Sequence, residues 1–211
     1  MAKKETDRGR LTPPPLRQRQ KEETRRVILD AAYVLFAEQG YERTTMRLLA
    51  RRAGVGLGTI FKHFPDKPSL LAAAFLEDIG GVIGEGFATL PASGLKAQLL
   101  HLTGKIYAFY GANPLFSRVL VKEALFLKGE HGDRLDQQLN DFLAAIAELF
   151  RRATAQGEFA VAIPPEQGAL AYGSFYLSGL VLGLKQPQFD VEAQLALVGS
   201  LLDGLLLSPG D

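Results

Sequence analysis

Residues 44–64, TTMRLLARRAGVGLGTIFKHF, admit few foldings other than two short helices joined by a tight turn. A threonine hydroxyl at position 44 or 45 can accept an otherwise unpaired first-turn N–H, so a helix starts there. Met46, Leu49, Ala50 and Ala53 recur at helical spacing and give one apolar face, while Arg47, Arg51 and Arg52 fall on the open faces. Gly54 supplies the left-handed backbone that a chain needs on leaving one helix for another. Val55 can fill the angle between the helices, and Ile60 and Phe64 anchor the second helix to the first. Small Ala50, turn Gly54 and apolar Ile60 give the close crossing, tight turn and buried anchor of a helix-turn-helix. Leu57, Gly58, Phe61 and Lys62 are left facing outward.

The flanks support this motif. Glu22 to Gln39 reads as a preceding helix, with Val27, Ile28, Ala31, Ala32, Leu35 and Phe36 on one stripe and Gly40 as its stop. Tyr41 should pack against the motif. Residues 1–20, with three consecutive prolines and no apolar periodicity, predict a disordered basic tail. Residues 1–67 carry 15 Lys/Arg against 8 Asp/Glu, and residues 68–211 carry 9 against 15. A basic front and an acidic back suit a polyanion-binding module joined to a body that avoids the same polyanion. The absence of cysteine removes disulfides and thiolate chemistry, and the N-terminus has no apolar signal region, so a cytoplasmic location is expected.

Thr24 to Leu71 resembles the DNA-binding domain of the tetracycline-repressor (TetR) family of bacterial transcription regulators. The resemblance rests on ILDAAYVLFAEQGYERTTMRLLARRAGV followed by GTIFKHFPDKPSLL, which is similar to the family's glycine-threonine-aliphatic-aromatic-x-His-Phe run and the Lys-x-x-Leu-Leu after it. It implies an all-α protein in which an N-terminal three-helix DNA-binding domain precedes a C-terminal helical bundle for ligand binding and dimerisation. Carried onto matching positions, it implies that Arg47, Leu57, Gly58, Thr59 and Lys62 face base edges, and that Thr45, Phe61, His63 and Lys67 meet phosphate or sugar. Phe61 stands where the family usually has tyrosine, so a van der Waals contact replaces a phenolic hydrogen bond. Arg17, Arg19, Lys21, Arg25 and Arg26 could serve as a minor-groove arm or simply as a solubilising tail.

Beyond Phe64, PDKPSLL restarts a helix that should soften at the glycines of GGVIGEG. Helices follow from Leu95, from Pro114, from Asp133 to Gln156 with Leu135, Leu139, Phe142, Ile146, Leu149 and Phe150 buried, after Pro164-Pro165, and from Val191. The 18 uncharged residues between Glu166 and Lys185 brush the length of a membrane span, but polar residues dilute them and no membrane partner is expected. Gly179 and Gly183, four apart, suggest instead that this helix and the last one form a four-helix homodimer interface. Aromatic rings at Tyr107, Tyr110, Phe116, Phe126, Phe142, Tyr172, Phe175 and Tyr176, with His101 and Thr103 as polar handles, suggest a cavity for a small apolar or aromatic effector.

No catalytic seat is visible. His63, His101 and His131 stand without metal-ligand spacing, and Gly54, Gly56 and Gly58 follow a helix where a dinucleotide loop needs a strand. The sequence therefore predicts no enzyme, no metal and no cofactor. It predicts a DNA-binding head at residues 21–67 and an effector-binding, dimerising body at 68–211. The expected function is a homodimeric repressor released from a pseudo-palindromic operator by a small apolar molecule. An architectural or partner-docking DNA-binding protein without an effector is the alternative.

Overall fold

Thr45, rather than Thr44, starts the first helix of the motif: its hydroxyl accepts the Leu48 N–H at 3.2 Å, while Thr44 is buried and donates to the Gly40 carbonyl at 2.8 Å. A computed structural model describes residues 15–158 and 163–206, and the regular elements among them are all α-helices. In chain order these are α1 (Leu16–Gln39), α2 (Met46–Ala53), α3 (Leu57–His63), α4 (Lys67–Ala88), α5 (Leu95–Ala112), α6 (Pro114–Ala124), α7 (Glu130–Ala155), α8 (Pro165–Lys185) and α9 (Val191–Leu205). None is long and apolar enough to cross a membrane.

α1 begins at Leu16, inside the stretch expected to be a disordered tail, because nothing between Leu16 and Glu22 breaks a helix once Pro15 has opened it. Residues 1–14 of that tail lie outside the described residues. The stripe of α1 is Ile28, Leu29, Ala31, Ala32, Leu35 and Phe36, with Val27 half out of it and exposed. Gly54 ends α2 at φ 66°, the left-handed turn that the sequence required. Ile60 and Phe64 are wholly buried, as are Ile28, Leu49 and Leu70 in the same core cluster, which closes a three-helix head.

α4 leaves the head capped by Asp66, whose carboxylate accepts the Ser69 N–H at 2.7 Å. It runs unbroken to Ala88, so the expected softening at Gly80, Gly81, Gly84 and Gly86 produces no break. Packing accounts for part of this. A Cβ on Gly86 would come within 2.9 Å of Leu102 on α5, and one on Gly80 within 3.2 Å of Gln138 on α7, so these two glycines let neighbouring helices approach closely. α5, α7, α8 and α9 then build the body around Leu99, Leu102, Tyr107, Ile146, Phe150, Tyr172 and Val198.

Two expectations about the body change. α7 begins at Glu130, one turn earlier than Asp133, and its Leu139 is 53 % exposed instead of buried. Gly179 and Gly183 face inward: a Cβ on Gly179 would stand 2.4 Å from the Tyr107 hydroxyl, and one on Gly183 would stand 2.7 Å from the Phe189 ring. Their small size serves the packing of α8 within the chain. The large apolar residues that α8 and α9 leave exposed are Leu170, Leu177, Leu182 and Leu201.

Candidate DNA-reading head and effector cavity

α3 is held from behind and open in front. Its rear is pinned by Ile60 and Phe64, and its front exposes Leu57, Gly58, Phe61 and Lys62, with Thr59 half-buried. Arg47 lies exposed near the start of α2, and Thr45 beside it already spends its hydroxyl oxygen on the helix cap. Phe61 at 47 % and Leu57 at 36 % exposed put two apolar side chains on an otherwise cationic face, which suits contact with a thymine methyl or a sugar more than contact with water alone. Behind this face Arg52 pairs with Glu38 at 3.3 Å, fixing α2 to α1.

Of the four residues expected at phosphate or sugar, Lys67 and His63 differ in what already holds them. Lys67 is half-buried, donates to the Tyr41 carbonyl at 2.7 Å and lies 4.0 Å above the Tyr41 ring, so part of its binding capacity fastens α4 to the loop after α1. His63 is half-buried with its pKa lowered by burial and then by Lys21 and Arg25, which favours a neutral ring with one N–H to donate.

A cavity of about 210 Å³ lies in the body, walled by α4 (Phe75, Ile79, Ile83), α5 (Ile106, Tyr110), α6 (Leu120), α7 (Leu135, Phe142) and α8 (Tyr176, Leu180). Leu125, Leu139 and Leu177 stand at its exposed rim, and Asp136 and Gln138 are the polar residues on the α7 side. Deep inside, the Tyr176 and Tyr110 hydroxyls pair, and burial pushes the Tyr110 phenol up to about 12 and Tyr176 well above its ordinary value. Both rings are therefore neutral hydrogen-bonding groups at any physiological pH.

Of the nine expected effector residues, Tyr110, Phe142 and Tyr176 line this cavity. Tyr107 is fully buried behind it, donating to the Tyr176 carbonyl at 2.6 Å, and Tyr172 shares a 2.9 Å hydrogen bond with Thr103, so these three are satisfied core groups. Phe175, which the sequence also grouped with these rings, packs against the core without lining the cavity. His101 bonds the Thr89 hydroxyl at 3.0 Å on the outside of α5. Phe116 packs on Phe36 of α1 with ring centres 5.9 Å apart, at the joint between head and body. Phe126 follows the end of α6 and is 82 % exposed. The α4 wall of Phe75, Ile79 and Ile83 was missed, although its spacing along one helix face was present in the sequence.

α4 connects the two sites. Tyr33 of α1 donates to the Ala74 carbonyl at 2.7 Å and lies 2.9 Å from the Asp78 carboxylate, and Arg25 pairs with Glu77 at 3.9 Å. Head and α4 are thus fastened together on one side, and the cavity opens directly on the next turns of the same helix.

Residues 28–74 match the family model for bacterial regulatory proteins of the tetR family. Over 190 residues the chain is 30 % identical to the HTH-type transcriptional repressor KstR of Rhodococcus jostii, covering 86 % of this chain and 84 % of that one. The fold is similar to a transcriptional regulator FadR from Bacillus subtilis solved in complex with stearoyl-CoA, with a TM-score of 0.66, 20 % identity and coverage of 86 % and 97 %. It is also similar to SmeT in a triclosan complex, with a TM-score of 0.64, 22 % identity and coverage of 89 % and 93 %.

Proposed function

We propose that this chain, which belongs to the tetR family of bacterial regulatory proteins, is a homodimeric repressor that releases its operator when a small apolar molecule enters the body cavity. Family membership makes it a DNA-binding transcription regulator and not an enzyme. The observation that carries the rest is that α4 supplies three cavity-wall residues, Phe75, Ile79 and Ile83, and is tied through Tyr33 to the head that carries α3. A ligand that fits the cavity in one α4 position better than another must shift the head with it, since differential affinity is what moves such an equilibrium.

The effector class follows from the lining, which is apolar except for paired phenols and the Asp136 and Gln138 rim. Such a site favours an aromatic or acyl body over a strongly charged one. Stearoyl-CoA on the FadR of Bacillus subtilis and triclosan on SmeT, both with apolar bodies, agree with this reading. The dimer would form through the outward leucines of α8 and α9, Leu170, Leu177, Leu182 and Leu201, which a two-fold axis would pair with their own copies. The proposed division places the reading head at residues 21–67 and the effector body at 68–211, with α4 crossing between them.

The direct test is selection of genomic fragments by the full-length protein. The proposal expects one inverted repeat whose half-sites lie about one helical turn, or a multiple of it, apart. Retention of unrelated fragments with no shared repeat would contradict it.

A further inference from the structure

α7 touches both the cavity and the reading head. Its Leu135 and Leu139 stand on the cavity side, and one turn earlier His131 is buried to 6 % exposure with its ring stacked on Phe64, centres 5.5 Å apart and planes 24° from parallel. Phe64 is itself fully buried and closes the C-terminal end of α3. The backbone of His63, the last residue of α3, lies close enough to act on the His131 ring. The His131 Nδ1 is buried and has no hydrogen-bond partner among the described residues.

We propose that His131 is a pH-sensitive latch: as a neutral ring it ties the end of the recognition helix to the cavity wall, and on protonation it lets go. The proposal rests on α3 being the DNA-reading helix, and the latch itself is a property of the free protein.

The geometry sets the direction. A protonated ring carries an N–H on both nitrogens, so charging this ring, buried against Phe64, would leave an N–H at Nδ1 that finds no acceptor among the described residues. From α1, Arg25 lies 5.9 Å over the same Phe64 ring; from α7 itself come Arg134 and Glu130; from α3 comes His63. Arg25 and Arg134 oppose a new positive charge, and Glu130, the acid in this set, is already bonded to Arg134 at 2.6 Å. Burial lowers the His131 pKa most, with the arginines adding to it and the His63 backbone and Glu130 opposing. A histidine with a lowered folded-state pKa contributes stability that is fully present above the ordinary value of about 6.5 and is lost as pH falls through the folded value. The latch is closed at neutral pH and opens on the acid side.

Amide hydrogen exchange on the full-length protein, without DNA or ligand, at pH 7.5 and pH 5.5 tests this once rates are corrected for intrinsic chemistry. Peptides covering residues 57–66 should lose protection by about fivefold or more at the lower pH, while peptides from the buried middle of α7 do not. His131→Phe keeps a ring on Phe64 but cannot charge, and should abolish the pH dependence; His63→Gln should retain it. Should His131→Phe prove unstable, the NMR titration midpoint of the His131 ring in the wild type must coincide with the pH at which 57–66 lose protection. Unchanged protection in the wild type, a His131→Phe protein that responds like wild type, loss of the response in His63→Gln, or a mismatch of midpoints would each overturn the latch. Failure to select an operator would instead remove the DNA reading and leave the exchange result standing.

Discussion

Gly179→Ala distinguishes a glycine that serves the fold from one that serves a partner copy. The added Cβ would sit 2.4 Å from the Tyr107 hydroxyl and 3.2 Å from Val198 on α9. Tyr107 cannot simply swing aside, because it is wholly buried, its hydroxyl is held 2.6 Å from the Tyr176 carbonyl, and its ring stacks on Tyr176 with centres 5.6 Å apart. Forcing a methyl into a packed core costs about 1–3 kcal/mol. Losing the phenol's bond while the group stays buried adds about 1–3 kcal/mol. Relaxation shares these costs, so we expect a destabilisation of roughly 2–4 kcal/mol. For a chain of this size that is a fall in Tm of roughly 5–12 °C. Urea unfolding followed at several protein concentrations is the assay, with dimer dissociation measured in parallel by sedimentation. The intramolecular reading predicts a lowered midpoint at every concentration. Stability within about 0.5 kcal/mol of wild type, combined with a weakened dimer, would refute it and return Gly179 to the interface.

Other outcomes follow from the same geometry. Gly58→Ala meets nothing within 4 Å and removes a helix-weakening glycine, so it should stabilise α3 by up to about 1 kcal/mol and slow amide exchange over residues 57–63 in the free protein; already uniform protection there in wild type would contradict this. Lys62→Ala should relax specificity at one base pair at a cost of about 1–3 kcal/mol in a binding-site selection, whereas an equal loss on every sequence would make Lys62 a phosphate contact. Leu139→Trp, at the exposed rim, should hinder entry of an apolar fluorescent probe and leave thermal stability within about 0.5 kcal/mol; unimpaired uptake would place the entrance elsewhere.

The head was legible because its determinants are local. Ala50, Gly54 and Ile60 act on their immediate neighbours, and the observed φ of 66° at Gly54 is what that spacing demanded. Helix breaks in the body were legible for the same reason, at Asn113-Pro114 and before Pro165. Which side of each helix faces the cavity was not legible. Tyr107 and Tyr172 look like pocket aromatics until their hydroxyls are found satisfied by Tyr176 and Thr103 on other helices. Phe126 looked like a cavity ring because the sequence did not show that it lies just past the end of α6, pointing into solvent. Gly179 and Gly183 carry the spacing of an interface, and only the positions of Tyr107 and Phe189 show that the gap is filled within the chain. His131 carried no local signal, since its partners Phe64 and His63 belong to the head.

The account stands or falls on whether filling the cavity changes grip on DNA. Fluorescence anisotropy with a selected operator duplex, titrated at fixed salt with and without saturating triclosan, measures this directly. For a compound that a thermal shift shows to bind, we expect operator affinity to fall at least about tenfold, equivalent to about 1.4 kcal/mol of coupling. The reciprocal titration should show the operator weakening the compound by the same factor. Binding of the compound with unchanged operator affinity would contradict ligand-controlled repression.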